Sequence, residues 1–319
     1  MLNRRQVRKK VFQQLYAFQQ HQNADNQNGN ETLAQQDYLA QSDKKLQASF
    51  KDVFKLFLFQ LDVLLKLKAK CAHLEDIEKK KFTPSSDQLN AFRLIREHAV
   101  LNLIEADERL QNSLENVHYN LEIEHVDLLN TLSLRLLETA LKSEAQRLET
   151  SEENELLLHF FDQHLAHNND VRLAYLENNL NWVDDVALVN TMSLKFLRTV
   201  EKTKKFVLPK ALVDSNIIDF GRQLFIKTIN RSAALEKAIA DELTNWKVDR
   251  IALVDKLLIK MGLTEFYDFP DIPIRVTINE YIELSKDYST PKSHVFVNGV
   301  LDKMQRKLID HGKIMKPKA

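Results

Sequence analysis

Three observations on the sequence predict an all-α fold. Glycine is scarce: the 319 residues include 5 Gly and 6 Pro, and no Gly lies between Gly29 and Gly221. Sheets and their hairpins draw on glycine turns, so this scarcity points to helices. Apolar residues recur at helical spacing along most of the chain. Proline follows a capping hydroxyl at Thr83-Pro84 and Thr290-Pro291, the arrangement of a helix start.

Taken in order, the first helix is expected from Asn3 to about Gln20. The Asn/Gln/Asp-rich run "HQNADNQNGNET" after it reads as a loop or linker. Helices are expected next over about Tyr38 to Ala69, Ser85 to His118 (opening at "TPSSD"), Glu124 to Leu148 and Glu152 to His167. A weak internal echo pairs "VDLLNTLSLRLLET" from Val126 with "VALVNTMSLKFLRT" from Val186, and another pairs "NWVDDVALV" from Asn181 with "NWKVDRIALV" from Asn245. Neither has the regular array of a solenoid. After "FVLPK" the segments shorten to Val213–Asn230, Ser232–Thr244, Val248–Glu265, Ile274–Tyr288 and Pro291–Ile309, and the texture changes near Lys205.

Composition narrows the function class. A content of 44% hydrophobic and 28% charged residues is that of an ordinary globular protein. The single cysteine, Cys71, excludes an intrachain disulfide framework and a Cys-based zinc site, and fits a reducing cytosol. The N-terminus runs into "NRRQVRKK" without the apolar core of a secretory signal, and runs such as "VFKLFLFQLDVLLKL" are too charged and short to span a bilayer. A cytoplasmic location without membrane contact is therefore expected. Lys+Arg and Asp+Glu are each 45, yet both ends are basic and the stretch from "SEENE" to "WVDD" is acidic. Such ends suit a polyanion contact, while the neutral total argues against general adhesion to nucleic acid.

The first helix carries the clearest binding pattern. On a helical wheel Val7, Val11, Leu15 and Phe18 form a core face, and Arg5, Arg8, Lys9, Phe12 and Tyr16 fall on the broad opposite side. Basic residues alternating with aromatics on an exposed face suit single-stranded RNA, where rings stack on bases and cations meet phosphates. Alternatively, Phe12 and Tyr16 pack on another helix while the Arg and Lys heads reach solvent.

Other clusters are weaker. His159, His164 and His167 in "HFFDQHLAH" lack the carboxylate partner of a metal site, and no metal or cofactor is expected. Asn279, Glu280 and Glu283 in "VTINEYIELSK" bring to mind acid/base chemistry, but Asn279 and Glu283 are an i, i+4 pair on the polar face, while Ile278, Tyr281, Ile282 and Ser285 make the buried one. The absence of a phosphate loop, Gly-rich turn or nucleophile elbow argues against an enzyme and a small-molecule substrate. In "SHVFVNGVLDK", Gly299 interrupts a helix whose stripe is Val297, Val300, Leu301, Met304 and Leu308. A helix-interior Gly costs about 0.5–1 kcal/mol against Ala, so either a ligand or a packed neighbour is expected to approach it, beside Phe296.

Two stretches are specific. "RRQVRKKVFQQLY" from Arg4 and "DIPIRVTINEYIELSKDYSTPKSHVFVNGVLDK" from Asp271 resemble the opening and closing segments of the transcription antitermination factor NusB family, and "WKVDRIALVDKLLIKMGLTEF" resembles its central helix. The resemblance covers Met1 to about Gln20 and about Phe206 to Ile309, which divides the chain into a first helix over 1–20, a helical insertion over 21–205 and the remainder of a NusB-like helical bundle over 206–319. It implies an RNA-binding adaptor in antitermination of ribosomal RNA operons, acting with the transcription elongation complex. The expected ligand is boxA-type single-stranded RNA, bound together with the ribosomal protein NusE. Arg4, Arg5 and Arg8 match the family's arginine-rich RNA-binding helix, with Lys9 where an acid is common; Tyr16 matches its aromatic and Phe296 the closing Phe. Asp255 matches an acidic residue at the NusE surface. Val295, Pro291 and Lys292 depart from the family pattern.

A reading of another class is a helical protein-interaction scaffold in which the insertion dominates function. An enzyme ranks third: NusB-like domains precede the catalytic domain of some ribosomal RNA methyltransferases, but no Gly-rich cofactor segment is present.

Overall fold

The computed structural model describes residues 2–28, 33–115, 125–147, 155–210, 214–242 and 251–314. Among them every regular element is helical, with fourteen α-helices. The chain divides into two compact units, Met1–Phe50 with Val213–Ala319, and Lys51–Leu212.

The first unit contains α1 (Arg4–Asn28), the opening of α2 (Leu33–Lys79), α10 (Ser215–Asn230), α11 (Ser232–Glu242), α12 (Leu253–Asp268), α13 (Ile274–Tyr288) and α14 (Ser293–Asp310). Helix α1 starts where Asn3 Oδ1 accepts the backbone N–H groups of Arg5 and Gln6 at 2.9 and 3.2 Å. It runs to Asn28, through much of the polar run expected as a loop. Asn, Gln and Asp cost at most about 0.7 kcal/mol each in a helix, and Gln19 Nε2 bonds Asn23 Oδ1 one turn on. Residues 29–32 of that run lie outside the described residues.

α12 is the hub of this unit. It packs against α1, α10, α11, α13 and α14, and every residue from Leu257 to Phe266 is buried. Gly262 permits the tightest of these approaches: a Cβ there would stand 2.8 Å from Leu301 Cδ2 and 3.3 Å from Tyr281 Cδ2. Gly221 does the same for α10, where a Cβ would meet Val7 Cγ1 at 2.6 Å and Phe50 Cζ at 2.7 Å. Gly299 differs from both. It is exposed, and nothing lies within 4 Å of the Cβ position, so the expectation of a neighbouring helix packed against it is corrected.

The second unit contains the rest of α2 with α3 (Ser86–Glu97), α4 (Ala99–Glu105), α5 (Glu108–Glu115), α6 (Val126–Arg147), α7 (Leu156–Phe160), α8 (Asn169–Asn178) and α9 (Val186–Thr203). Ser85 caps α3 by accepting the Gln88 N–H, as "TPSSD" predicts. The single helix expected over Ser85–His118 is three. His98, with φ −57° and ψ 116°, leaves the helical region between α3 and α4, and Asp107 Oδ1 caps α5 by accepting the Leu110 N–H at 2.9 Å. Residues 116–118 of that expected helix lie outside the described residues.

α7 passes into a π-helical turn, Phe161–Ala166, before α8. The echoed segments become α6 and α9, which begin at their matching residues Val126 and Val186. Leu129, Ser133 and Leu137 are buried on one, and Val189, Ser193 and Leu197 on the other, so the echo marks a shared inward stripe. Residues 245–250 of the other echo lie outside the described residues. Inside this unit Gln60 accepts from Ser193 Oγ and donates to Asn190 Oδ1, both at 2.6 Å, while Asn190 Nδ2 donates to the Ala166 carbonyl at 2.8 Å. Trp182 Nε1 donates to the Asp52 carbonyl at 2.9 Å.

Two expectations follow. Gly262→Ala overpacks the hub and costs about 1–3 kcal/mol, whereas Gly299→Ala gains about 0.5–1 kcal/mol; urea denaturation of both variants should show these opposite signs. His98 is buried, and burial holds its imidazole below the ordinary value. The unfolded chain takes up that proton near pH ~6.5. The stability that depends on neutral His98 is therefore complete above this pH and is lost as pH falls toward the depressed folded value. Thermal melts across about pH 7.5 to 5 should show wild type losing stability faster than His98→Phe.

Candidate nucleic-acid interface

α1 turns its basic residues two ways. Arg8 points inward: its side chain is 2% exposed, and Nε and Nη2 donate to Glu265 Oε1 and Oε2 at 2.5 and 2.9 Å. Glu265 is itself fully buried at the end of the hub helix, and it also accepts from Tyr281 Oη at 2.6 Å and Thr277 Oγ1 at 3.2 Å. Burial pulls the Arg8 pKa down, but the charge-assisted bonds that it donates to Glu265 outweigh it and the net shift is upward. Burial, reinforced by the adjacent Glu265 carboxylate, pushes the Tyr281 phenol well up.

The remaining cations lie around this buried pair. Arg5, 44% exposed along its side chain, donates to both oxygens of Glu280 at 3.0 and 2.8 Å. Those bonds, opposed by burial, hold Glu280 below the usual carboxylate range. Lys9 reaches Asp287 at 2.7 Å. Arg4 is exposed, with its guanidinium 5.4 Å from the centroid of the Phe220 ring and no carboxylate partner among the described residues. Tyr16 is exposed, its ring 6.4 Å from that of Phe12.

Two positions on the expected exposed face are corrected. Arg8 is committed to Glu265, and Phe12 is buried with its ring 4.8 Å from Tyr288. The wheel places both opposite the core stripe, but α1 is gripped by α10 and α12 and meets side chains of α13 as well, so its apolar arc is wider than one stripe. Arg4, Arg5, Lys9 and Tyr16 remain together on the outer side. Phe296 stands apart on α14 and is half-buried.

Asp255 is 6% exposed, with Ser289 Oγ on Oδ1 at 2.7 Å and Ser293 Oγ on Oδ2 at 2.9 Å. Its carboxylate ties the α13–α14 turn to the hub, which corrects the expectation of a surface position.

Glu265 and Phe220, which organise the site, belong to no motif or polar helix face in the sequence. The available signal was an acid between Leu263 and Phe266, at a level where α12 is buried all round. Among the described residues no group of His, Cys, Asp and Glu is arranged to hold a metal, and no helix is long and apolar enough to cross a membrane.

The NusB family model matches residues 186–306, from the first residue of α9 into α14. The transcription antitermination protein NusB of Salinibacter ruber is 38% identical over 103 residues, 32% of this chain and 64% of that protein. Its counterpart in Chloroherpeton thalassium is 35% identical over 118 residues, 37% of this chain and 56% of that protein. For Dictyoglomus turgidum the figures are 34% over 125 residues, 36% of this chain and 87% of the relative. The chain thus spans less than two thirds of the first two relatives and most of the third. A solved structure of T. maritima NusB is 26% identical, covering 37% of this chain and 75% of that one with a TM-score of 0.29.

The internal pair has a measurable signature. Arg8→Ala leaves a buried carboxylate unpaired and is expected to cost about 3–5 kcal/mol, while Arg8→Met combined with Glu265→Gln recovers most of that loss. Chemical denaturation of the single and double variants checks it; equal losses in both would mean the pair is not what holds α1.

Proposed function

This chain belongs to the NusB family, and from that premise we propose that it is a non-catalytic RNA-binding adaptor in transcription antitermination of ribosomal RNA operons. Its ligand in this reading is boxA-type single-stranded RNA, bound together with the NusE ribosomal protein within the elongation complex, in the cytoplasm.

The observation that carries the reading is Arg4, an exposed guanidinium without a carboxylate partner among the described residues, flanked on the same helix by Arg5 and Lys9. Exposed ion pairs such as Lys9–Asp287 are worth only about 0–1 kcal/mol, so a phosphate can exchange for the acid at little cost. Tyr16 offers a ring face for a base. Phe296 and the open backbone at Gly299 form a second candidate contact, where a base or ribose can approach α14 without meeting a Cβ. Arg8 acts here by fixing α1, and Asp255 by fixing the start of α14, so a partner surface near Asp255 would be shaped by it and not touched by its carboxylate.

The test is anisotropy of a labelled boxA-type RNA across a salt series, with and without NusE, using wild type and Arg4→Ala/Arg5→Ala/Lys9→Ala. Three phosphate contacts predict a log–log salt slope steeper by about 2 in wild type than in the variant. NusE should tighten binding in wild type. A variant with the wild-type slope and affinity would remove α1 from the RNA contact.

A further inference from the structure

The second unit carries an open groove of about 1060 Å³ running along α9, walled by the π-helical turn and α8. Its lining has an aliphatic half, Val183, Val186, Ala187 and Leu194, and a basic half, in which the exposed Lys195, Arg198 and Lys202 stand at i, i+3 and i+7 on one face of α9 and α8 contributes Arg172. None of these four cations has an ion-pair or hydrogen-bond partner among the described residues. The acid in the lining, Asp162, already accepts from Gln163 and faces His167. Like charges three and four residues apart repel, so this face of α9 concentrates positive charge.

We propose that this groove docks an acidic amphipathic helix of a protein partner. The lined face of α9 from Ala187 to Lys202 is about 22 Å long, which suits an elongated segment better than a small molecule. A helix laid in a groove is held by apolar anchors spaced over successive turns, and the aliphatic half supplies their seat. Acids on the flanks of the same helix meet Lys195, Arg198, Lys202 and Arg172. Single-stranded nucleic acid fits less well, because the lining holds no Phe, Tyr or Trp on which bases stack. One residue of the lining, Asn190, is held in place by Gln60 and the Ala166 carbonyl. The assignment is independent of the RNA reading of α1.

The probes are a labelled synthetic helix with Leu at i, i+3, i+4 and i+7 and Glu elsewhere, a scrambled peptide of the same composition, and an oligo(U) RNA. They are measured by anisotropy on the full chain, with Arg198→Glu/Lys202→Glu and with Val183→Asp, a position already 47% exposed. Circular dichroism melts check that both variants remain folded. The patterned peptide should bind more tightly than the scrambled one, weaken with salt, and lose at least tenfold in affinity in each variant, with Arg4→Ala/Arg5→Ala/Lys9→Ala unchanged. Equal binding of the two peptides, no binding of either, or indifference to the charge reversal would overturn the proposal. RNA bound in their place and released by Arg198→Glu/Lys202→Glu would make the groove a nucleic-acid surface and would equally overturn it.

Discussion

A carboxylate taken out of water costs several kcal/mol unless its oxygens are occupied, and Glu265 is such a carboxylate at the end of the most buried helix of the chain. Its oxygens take bonds from Arg8, Tyr281 and Thr277, so α1 and α13 are held to α12 by one group. Sliding α1 by a single residue would turn Arg8 about 100° away and strand the charge. The outward set of Arg4, Arg5, Lys9 and Tyr16 is thus a geometric consequence of an inward one. The candidate interface is placed by a residue that does not belong to it.

The same logic recurs at two other levels of α12. Asp255 is occupied by the hydroxyls of Ser289 and Ser293, and Lys260 by Ser232 Oγ and Glu236. Burial lowers the Lys260 pKa, and the Glu236 carboxylate works against that. Each buried charge on the hub thereby specifies a different neighbour: α1 and α13 for Glu265, the α13–α14 turn for Asp255, α11 for Lys260. Apolar packing alone tolerates register changes that such one-to-one pairings do not. In the second unit neutral amides do comparable work, with Gln60 and Asn190 securing α9 and a carbonyl of the π turn.

Much of this was legible in the chain. Glycine scarcity predicts the helical class, and α13 spans Ile274–Tyr288 as its flanking "FPDIP" and "STP" turns imply. Local signals fail where tertiary contacts decide. Nothing in "EHAV" announces that His98 breaks a helix, since His is acceptable in helices and the break is fixed by burial. The polar run after Gln20 looks like a linker by composition, yet helix propagation into it is cheap once α1 exists. Arg8 is the instructive miss. A wheel drawn from one segment sorts residues by polarity, and an Arg whose partner lies 257 positions away sorts with the solvent face. Two of the glycines of the closing half make the same point: the sequence around Gly262 and Gly299 is helical at both, but one is hemmed in and the other open.

The span between Arg8 and Glu265 also has a temporal side. Ribosomes add about 5–20 residues per second, so α1 emerges roughly 13–50 s before the acid that satisfies its arginine. Throughout that interval the whole of Lys51–Leu212 is made as an uninterrupted stretch and can collapse on its own, while the first helix waits with a solvated guanidinium. A charged group tolerates that wait better than an apolar one would, because water satisfies it and a stray hydrophobic surface does not. An arginine at this position is thus satisfied twice in turn, by water while its partner is still unmade and by the Glu265 carboxylate afterwards.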